Sequence, residues 1–148
     1  MDTKYALVTG ATAGIGLDIA KELASQGKNI ILTARREDRL REISISLKDE
    51  FNIECDYVIA DLAQFSAPDK IYNFCSENNY IVEILVNNAG YSINKKFHET
   101  SEDEEEKFLR VLGIAVIALT KKFIPSMLEH KHGKIMMVSS LASFAPPS

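Results

Sequence analysis

Three glycines near the N-terminus have the spacing of a phosphate-binding turn. They are residues 10, 14 and 16 in the run TGATAGIG, which spans Thr9 to Gly16 and follows the apolar run YALV. Glycine lets a backbone approach an anion closely, and the first amides of a helix that follows then point at that anion. The chemistry that this pattern indicates is the binding of a pyrophosphate.

The spacing of the glycines separates this turn from two other phosphate-binding patterns. It reads G-x-x-x-G-x-G, whereas the general dinucleotide fingerprint reads G-x-G-x-x-G, and a triphosphate-binding loop ends in Gly-Lys-Ser/Thr. A tight turn that binds nothing is the alternative interpretation. The position between an apolar strand and an amphipathic helix favours a bound dinucleotide, because helix amides without partners lie there.

A basic pair follows the second apolar run, IILT. The residues there are Ala34, Arg35 and Arg36, at the place where an acidic residue would bind the ribose 2′-hydroxyl of NAD. Two guanidinium groups can instead form charge-assisted hydrogen bonds with a 2′-phosphate. The alternative is a solvent-exposed helical turn in which Arg36 pairs with the acidic residues after it. We predict NADP(H) in preference to NAD(H), with both arginines on the 2′-phosphate.

The elements that must position these residues alternate along the chain. Strands are predicted at Tyr5–Thr9, Asn29–Thr33, Cys55–Ala60, Glu83–Val86 and Lys134–Ser139. Helical periodicity runs from Ile15 to Ala24, from Leu40 to Leu47, from Ile71 to Cys75 and from about Glu102 to Leu128. This alternation predicts an α/β fold of the Rossmann type, a doubly wound parallel sheet of about five strands between two helical layers. Runs such as IILT and IMMV are apolar throughout, which predicts strands covered on both faces.

Composition excludes several other classes of protein. The 148 residues carry a formal net charge of −4, whereas nonspecific nucleic-acid binding needs a basic face. No apolar run approaches the roughly 20 residues of a membrane span, so none is predicted. Cys55 and Cys75 have no disulfide or metal-ligand spacing. We expect one domain over residues 1–148, in a cytoplasmic protein without a bound metal.

Four motifs, in this order, resemble the classical short-chain dehydrogenases/reductases. TGATAGIG matches the TGxxxGxG turn of that family, and Asp61-Leu62 resembles its adenine-contacting segment. The run NNAG at residues 87–90 matches a family motif, and Val138-Ser139-Ser140 resembles its serine-bearing strand. The resemblance covers essentially the whole chain. It implies hydride transfer between a nicotinamide and a carbonyl or alcohol substrate.

The resemblance implies a role for each matching residue. The residues that would hold the pyrophosphate and the adjacent ribose are Gly10, Thr12, Gly14, Ile15 and Gly16. Those that would border the adenine are Asp61 and Leu62, and those that would line the path to the nicotinamide ribose are Asn87, Ala89 and Gly90. Ser140 would face the substrate oxygen, with Ser139 as the alternative.

Three residues of the family mechanism, a tyrosine, a lysine and an asparagine, have no counterpart by this alignment. Its proton-transferring Tyr-x-x-x-Lys lies beyond the serine, and no such pattern follows Ser140. The position of its relay asparagine is held by Leu112, or by the neighbouring Gly113. Two alternatives stay open: a dehydrogenase represented by its cofactor-binding portion, expected to be truncated, or a noncatalytic dinucleotide-binding sensor or partner subunit. For the full-length family fold we expect a homo-oligomer.

Overall fold

The structure is a computed structural model that describes residues 3–140, and its centre is one parallel sheet. Five strands lie in the order β3-β2-β1-β4-β5. The strands are β1 (Lys4–Thr9), β2 (Asn29–Ala34), β3 (Cys55–Ile59), β4 (Ile81–Asn87) and β5 (Lys134–Met137). The helices are α1 (Gly14–Ser25), α2 (Glu37–Phe51), α3 (Ala67–Glu77), α4 (Glu102–Leu109) and α5 (Ala115–Glu129), with a π-helical segment (Arg110–Ile114) between the last two.

Alternate residues of each strand enter two separate cores. Tyr5 and Leu7 of β1 pack with α3 and α5 on one face, whereas Ala6 and Val8 pack with α1 and α2 on the other. Because successive strand side chains point to opposite faces, a strand between two helical layers must be apolar at every position. The predicted doubly wound Rossmann-type fold is therefore confirmed.

Strand β5 departs from the prediction that its run is covered on both faces. Ile135, Met136 and Met137 are 37%, 49% and 60% exposed. The reason is its position, because β5 is the last strand of the sheet within residues 3–140 and pairs on one side only, with β4. An apolar run predicts burial only if helices reach the strand, and the run itself does not contain that information.

The helix from Glu102 to Glu129 has a high mean hydropathy although it contains no uninterrupted apolar run of about 20 residues. It is 28 residues long and contains a window of mean hydropathy 1.7, of which 28% is buried. By length and composition it passes the test for a membrane span. A helix that packs on a sheet passes the same test, and Val111, Ala115 and Leu119 pack in the core.

Glu83 is a buried carboxylate at the amino edge of the sheet. The register between β1 and β4 shifts there, since Tyr5 pairs with Val82 and Ala6 pairs with Ile84. The extra residue of such a bulge redirects its side chain. Lys28 Nζ donates to Glu83 Oε1 over 2.8 Å, and His132 Nε2 lies 3.3 Å from Oε2. These contacts join the loops before β2 and β5 to strand β4.

We expect the unfolding free energy to fall in acid through Glu83. Burial acts to raise the pKa of this carboxyl, but the hydrogen bond and charge of Lys28, with His132 and Lys4, lower it below its ordinary value of 4.5. The stabilisation is therefore present above pH 4.5 and is lost as the pH falls through the folded-state pKa. Urea unfolding of the unsubstituted chain and of Glu83→Gln, from neutral pH down through the pKa of Glu83, measures this loss of unfolding free energy. Glu83→Gln should lose about 1–2 kcal/mol at neutral pH. An unchanged acid dependence in Glu83→Gln would contradict the assignment.

Candidate functional site

The residues selected from the sequence gather at the carboxyl edge of the sheet. In a parallel sheet all strands end at the same edge, so the segments after β1, β2, β3, β4 and β5 meet there. Strand β1 is the point at which the order reverses, because β2 and β4 flank it and the chain continues outward from each. Ligands of open α/β sheets bind in the crevice at such a point.

The glycine-rich turn requires glycine at three positions for two reasons. Gly10 and Gly14 have φ angles of +66° and +54°, in the left-handed region. A Cβ on Gly10 would lie 2.8 Å from the Ala89 Cα, and a Cβ on Gly16 would overlap the Gly10 carbonyl oxygen and the Asn88 amide. The turn is therefore packed directly against the segment that follows β4.

The first turn of α1 has the properties of an anion site. Its N-cap residue is Ala13, which makes no capping hydrogen bond through its side chain, and the first turn contains no acidic residue. The first amides of a helix have no partners within the helix and carry the positive end of its dipole. Unpaired amides of this kind can bind an anion, and a Cβ added to Gly14 would meet nothing within 4 Å, so the turn is open at that glycine.

Asn88 and Thr9 join the glycine-rich turn to the segment after β4. Neither residue was among the site residues predicted from the sequence. Asn88 Nδ2 donates to the Thr9 carbonyl over 2.9 Å and to the Gly10 carbonyl over 3.3 Å. Thr9 Oγ1 accepts from the amides of Asn88 and Ala89 over 2.9 and 3.0 Å. The motif NNAG was the available signal, but the role of its second asparagine depends on β1 and β4 being neighbours.

The structure places Arg35 and Arg36 in different surroundings. Arg36 Nη2 lies 3.4 Å from Thr12 Oγ1, so its guanidinium reaches back over the glycine-rich turn. Arg35 lines a cavity of about 400 Å³. The other residues of that cavity are Ile59, Ala60, Asp61, Gln64, Ser66, Ala67 and Lys70. Both arginines are exposed, so each is available to a ligand at this edge.

Asp61 and Leu62 follow β3, beside the cavity that Arg35 lines. Asp61 Oδ1 accepts from the Ala63 amide over 3.0 Å, which orients the carboxylate within its loop. Leu62 is buried and packs in the core on the α3 and α5 face. The structure therefore brings Asp61 to the same side of the glycine-rich turn as the two arginines.

The residues of the NNAG segment differ in their burial. Asn87 is buried, and its Nδ2 lies 3.4 Å from Thr120 Oγ1 on α5. Ala89 is partly buried against the core, whereas Gly90 is exposed. Asn87 is therefore directed at α5, and the open part of the segment is Gly90. Ser140 is exposed and lies three residues beyond the end of β5.

One Tyr-x-x-x-Lys spacing occurs in the chain before the serine, at Tyr91 and Lys95. The structure does not bring these two side chains together on a helix, because residues 91–95 have no helical structure. Lys95 Nζ pairs with Glu104 Oε1 at 2.5 Å, and Tyr91 packs edge-on against Phe108 with ring centroids 5.5 Å apart. Each residue is thus engaged by α4. Within residues 3–140 no His, Cys, Asp and Glu side chains cluster to hold a metal ion.

A Rossmann-type sheet with a glycine-rich turn at its switch point defines a dinucleotide-binding class of protein. The model of the short chain dehydrogenase family matches residues 4–148. The chain therefore belongs to the short-chain dehydrogenase family.

Two relatives and one solved structure illustrate the range of that similarity. The chain is 38% identical over 141 residues to the human protein named inactive hydroxysteroid dehydrogenase-like protein 1, matching 93% of this chain and 42% of that protein. It is 32% identical to the very-long-chain 3-oxoacyl-CoA reductase of Rattus norvegicus, matching 97% of this chain and 46% of that protein. L-sorbose reductase of Gluconobacter frateurii, solved with NADPH and L-sorbose, superposes with a TM-score of 0.91 at 30% identity, over 99% of this chain and 57% of that one. The chain thus spans about half the length of these proteins.

Proposed function

We propose that this chain is the cofactor-binding portion of an NADP(H)-dependent oxidoreductase that acts on a carbonyl or alcohol substrate. The observation that carries the proposal is the position of Arg36, whose Nη2 lies 3.4 Å from Thr12 Oγ1 at the glycine-rich turn. No acidic residue stands directly after β2 to repel a 2′-phosphate, and two arginines stand there instead. The L-sorbose reductase that shares this fold was solved with NADPH.

Different residues of the chain would hold the pyrophosphate, the adenine end and the nicotinamide end of the cofactor. Gly10, Thr12, Gly14, Ile15 and Gly16 would hold the pyrophosphate and the adjacent ribose. Arg35 and Arg36 would hold the 2′-phosphate, and Asp61 with Leu62 would border the adenine. Asn87, Ala89 and Gly90 would hold the segment that faces the nicotinamide ribose. Bound NADPH would supply the hydride, and Ser140 would donate a hydrogen bond to the substrate oxygen.

Titration of the 148-residue chain with NADPH and NADH tests the proposal. We expect NADPH to bind at least about tenfold more tightly, since one charge-assisted hydrogen bond to a phosphate contributes about 1.5 kcal/mol or more. The preference should shrink as salt rises, because salt screens exposed charges. Equal affinity for the two nucleotides would reject the NADP(H) assignment. No binding of either would reject the cofactor-binding function.

A noncatalytic dinucleotide-binding protein is the second candidate. Leu112 supports it, because leucine can neither donate nor accept a hydrogen bond at the position where the family resemblance expects an asparagine. The relative named inactive hydroxysteroid dehydrogenase-like protein 1 is compatible with it as well. NADPH oxidation with a panel of ketones and aldehydes separates the candidates. Turnover by the complete protein would favour the oxidoreductase, and tight NADPH binding without turnover would favour the sensor or partner subunit.

We further propose a cytoplasmic protein that assembles as a homo-oligomer. Leu109, Ile117 and Leu128 are exposed on the long helix, where a second copy could cover them. An antiparallel arrangement would place the acidic first turn of α4 near the basic loop at Lys131 of the second copy. Sedimentation equilibrium of the unsubstituted chain and of Ile117→Glu tests the assembly. A monomer at all concentrations would reject it.

A further inference from the structure

Leu112 lies at the junction between the long helix and the segment after β4. A Cβ added to Gly90 would lie 2.9 Å from the Leu112 Cδ2, so the leucine side chain lies against one side of this exposed glycine. A Cβ on neighbouring Gly113 would meet no atom within 4 Å. Leu112 and Gly113 were the alternatives for the position of the family's relay asparagine, and only Leu112 contacts the candidate site.

The π-helical segment fixes this position of Leu112. The segment runs from Arg110 to Ile114, and Val111 within it and Ala115 after it are buried in one core. Ala89 packs against the same core from the end of β4. A π-helical turn contains more residues than an α-helical turn and is often found at functional sites. Because its neighbours are held by the core, Leu112 cannot leave Gly90 without a change of its own rotamer.

The proposed position of the adenine half of the dinucleotide determines which half would lie beside Leu112. Arg36 and Asp61 lie on the β2 and β3 side of the glycine-rich turn, and Gly90 lies on the β4 side. A dinucleotide binds across the crevice at the switch point, with its pyrophosphate at the turn. With the adenine half beside Arg36, the nicotinamide riboside extends toward Gly90 and Leu112.

The apolar side chain of Leu112 is 42% exposed among the residues that the structure describes. Burial of its remaining apolar surface by a ring would be favourable, at about 25 cal/mol for each Å² removed from water. Leucine offers no hydrogen bond, so it displaces water from the place that it occupies. Leu109 and Ile117 on the same helix are more exposed, at 62% and 60%, but neither lies within 4 Å of a Cβ placed on Gly90.

We infer that Leu112 forms an apolar wall of the nicotinamide end of the site, where it packs against the nicotinamide riboside and excludes water from it. The inference rests on the proposed function, since it requires a bound nicotinamide dinucleotide. It assigns Leu112 to cofactor positioning and to the environment of the ring, and it assigns no proton transfer to this residue.

The fluorescence of bound NADPH tests the inference, because reduced nicotinamide emits more strongly and at shorter wavelength in a dry environment. Leu112→Ala and Leu112→Asn should shift the emission of bound NADPH toward that of free NADPH and should weaken its binding about fivefold. Adenosine 2′,5′-bisphosphate, which lacks the nicotinamide, should bind both variants within about twofold of the unsubstituted chain. Leu112→Met keeps the apolar wall and should retain the original emission.

Ile45→Ala is the control, because it truncates an aliphatic side chain of comparable exposure, 54%, on α2. It should leave both the emission and the affinity unchanged. Unaltered emission in Leu112→Ala and Leu112→Asn overturns the inference, as does an equal loss of adenosine 2′,5′-bisphosphate binding, which would indicate a general structural effect. If the unsubstituted chain binds neither nucleotide, the proposed function fails and the inference fails with it.

Discussion

Replacing Gly16 by alanine is expected to abolish dinucleotide binding and to destabilise the chain. The new methyl group would overlap the Gly10 carbonyl oxygen and the Asn88 amide, and the backbone atom cannot move without opening the glycine-rich turn. Asn88 would also lose its hydrogen bonds to the Thr9 and Gly10 carbonyls. Overpacking of this kind removes about 1–3 kcal/mol of stability. We expect NADPH affinity to fall more than about 100-fold, measured by calorimetric titration.

Two further variants separate folding from binding in this experiment. Asn88→Ala removes the two hydrogen bonds without adding an atom, so the chain should fold and bind NADPH about tenfold more weakly. Gly113→Ala places the same methyl group in open space on a helix and should stabilise the chain by up to about 1 kcal/mol, with NADPH affinity unchanged. Retention of NADPH binding within about threefold by a folded Gly16→Ala chain would contradict the packing described for the turn.

Replacing Arg36 by alanine is expected to remove most of the preference for NADPH over NADH. Arg36 lies over the turn beside Thr12, where a 2′-phosphate could accept hydrogen bonds from both residues. Loss of a hydrogen bond to a charged group removes about 1.5–3 kcal/mol, so NADPH affinity should fall about 10- to 100-fold. NADH affinity should stay within about twofold, because NADH has no phosphate there. Competition between the two nucleotides in one titration measures the ratio directly.

The controls for Arg36→Ala distinguish a specific contact from net charge. Arg41→Ala removes the same charge from an exposed position further along α2 and should change the ratio by less than about twofold. Arg35→Ala should lower the preference as well, because the proposal places both arginines on the 2′-phosphate. An unchanged ratio in both Arg36→Ala and Arg35→Ala would remove the physical basis for NADP(H) specificity.

Local pattern was sufficient for the elements and for the glycine-rich turn. Strand β1 (Lys4–Thr9) and helix α1 (Gly14–Ser25) follow from apolar periodicity and from the glycine spacing, which depend on nearby residues alone. The same pattern wrongly predicted that β5 is covered on both faces, because the burial of a strand depends on elements distant in sequence. It also missed the hydropathy of the long helix, because Leu109 to Leu128 contains few charges but no single uninterrupted apolar run.

The sequence by itself determined the parallel α/β fold, the position of the glycine-rich turn and the basic pair after β2. Only the tertiary structure decided that Asn88 joins β4 to the glycine-rich turn, that Arg36 reaches Thr12, and that Leu112 lies against Gly90. The physical reason is the strand order. Turn and helix signals act over a few residues. The parallel crossovers place β4 beside β1, so that Asn88 reaches Gly10 across 78 positions of the chain, and they place β2 beside β1, so that Arg36 reaches Thr12 across 24 positions.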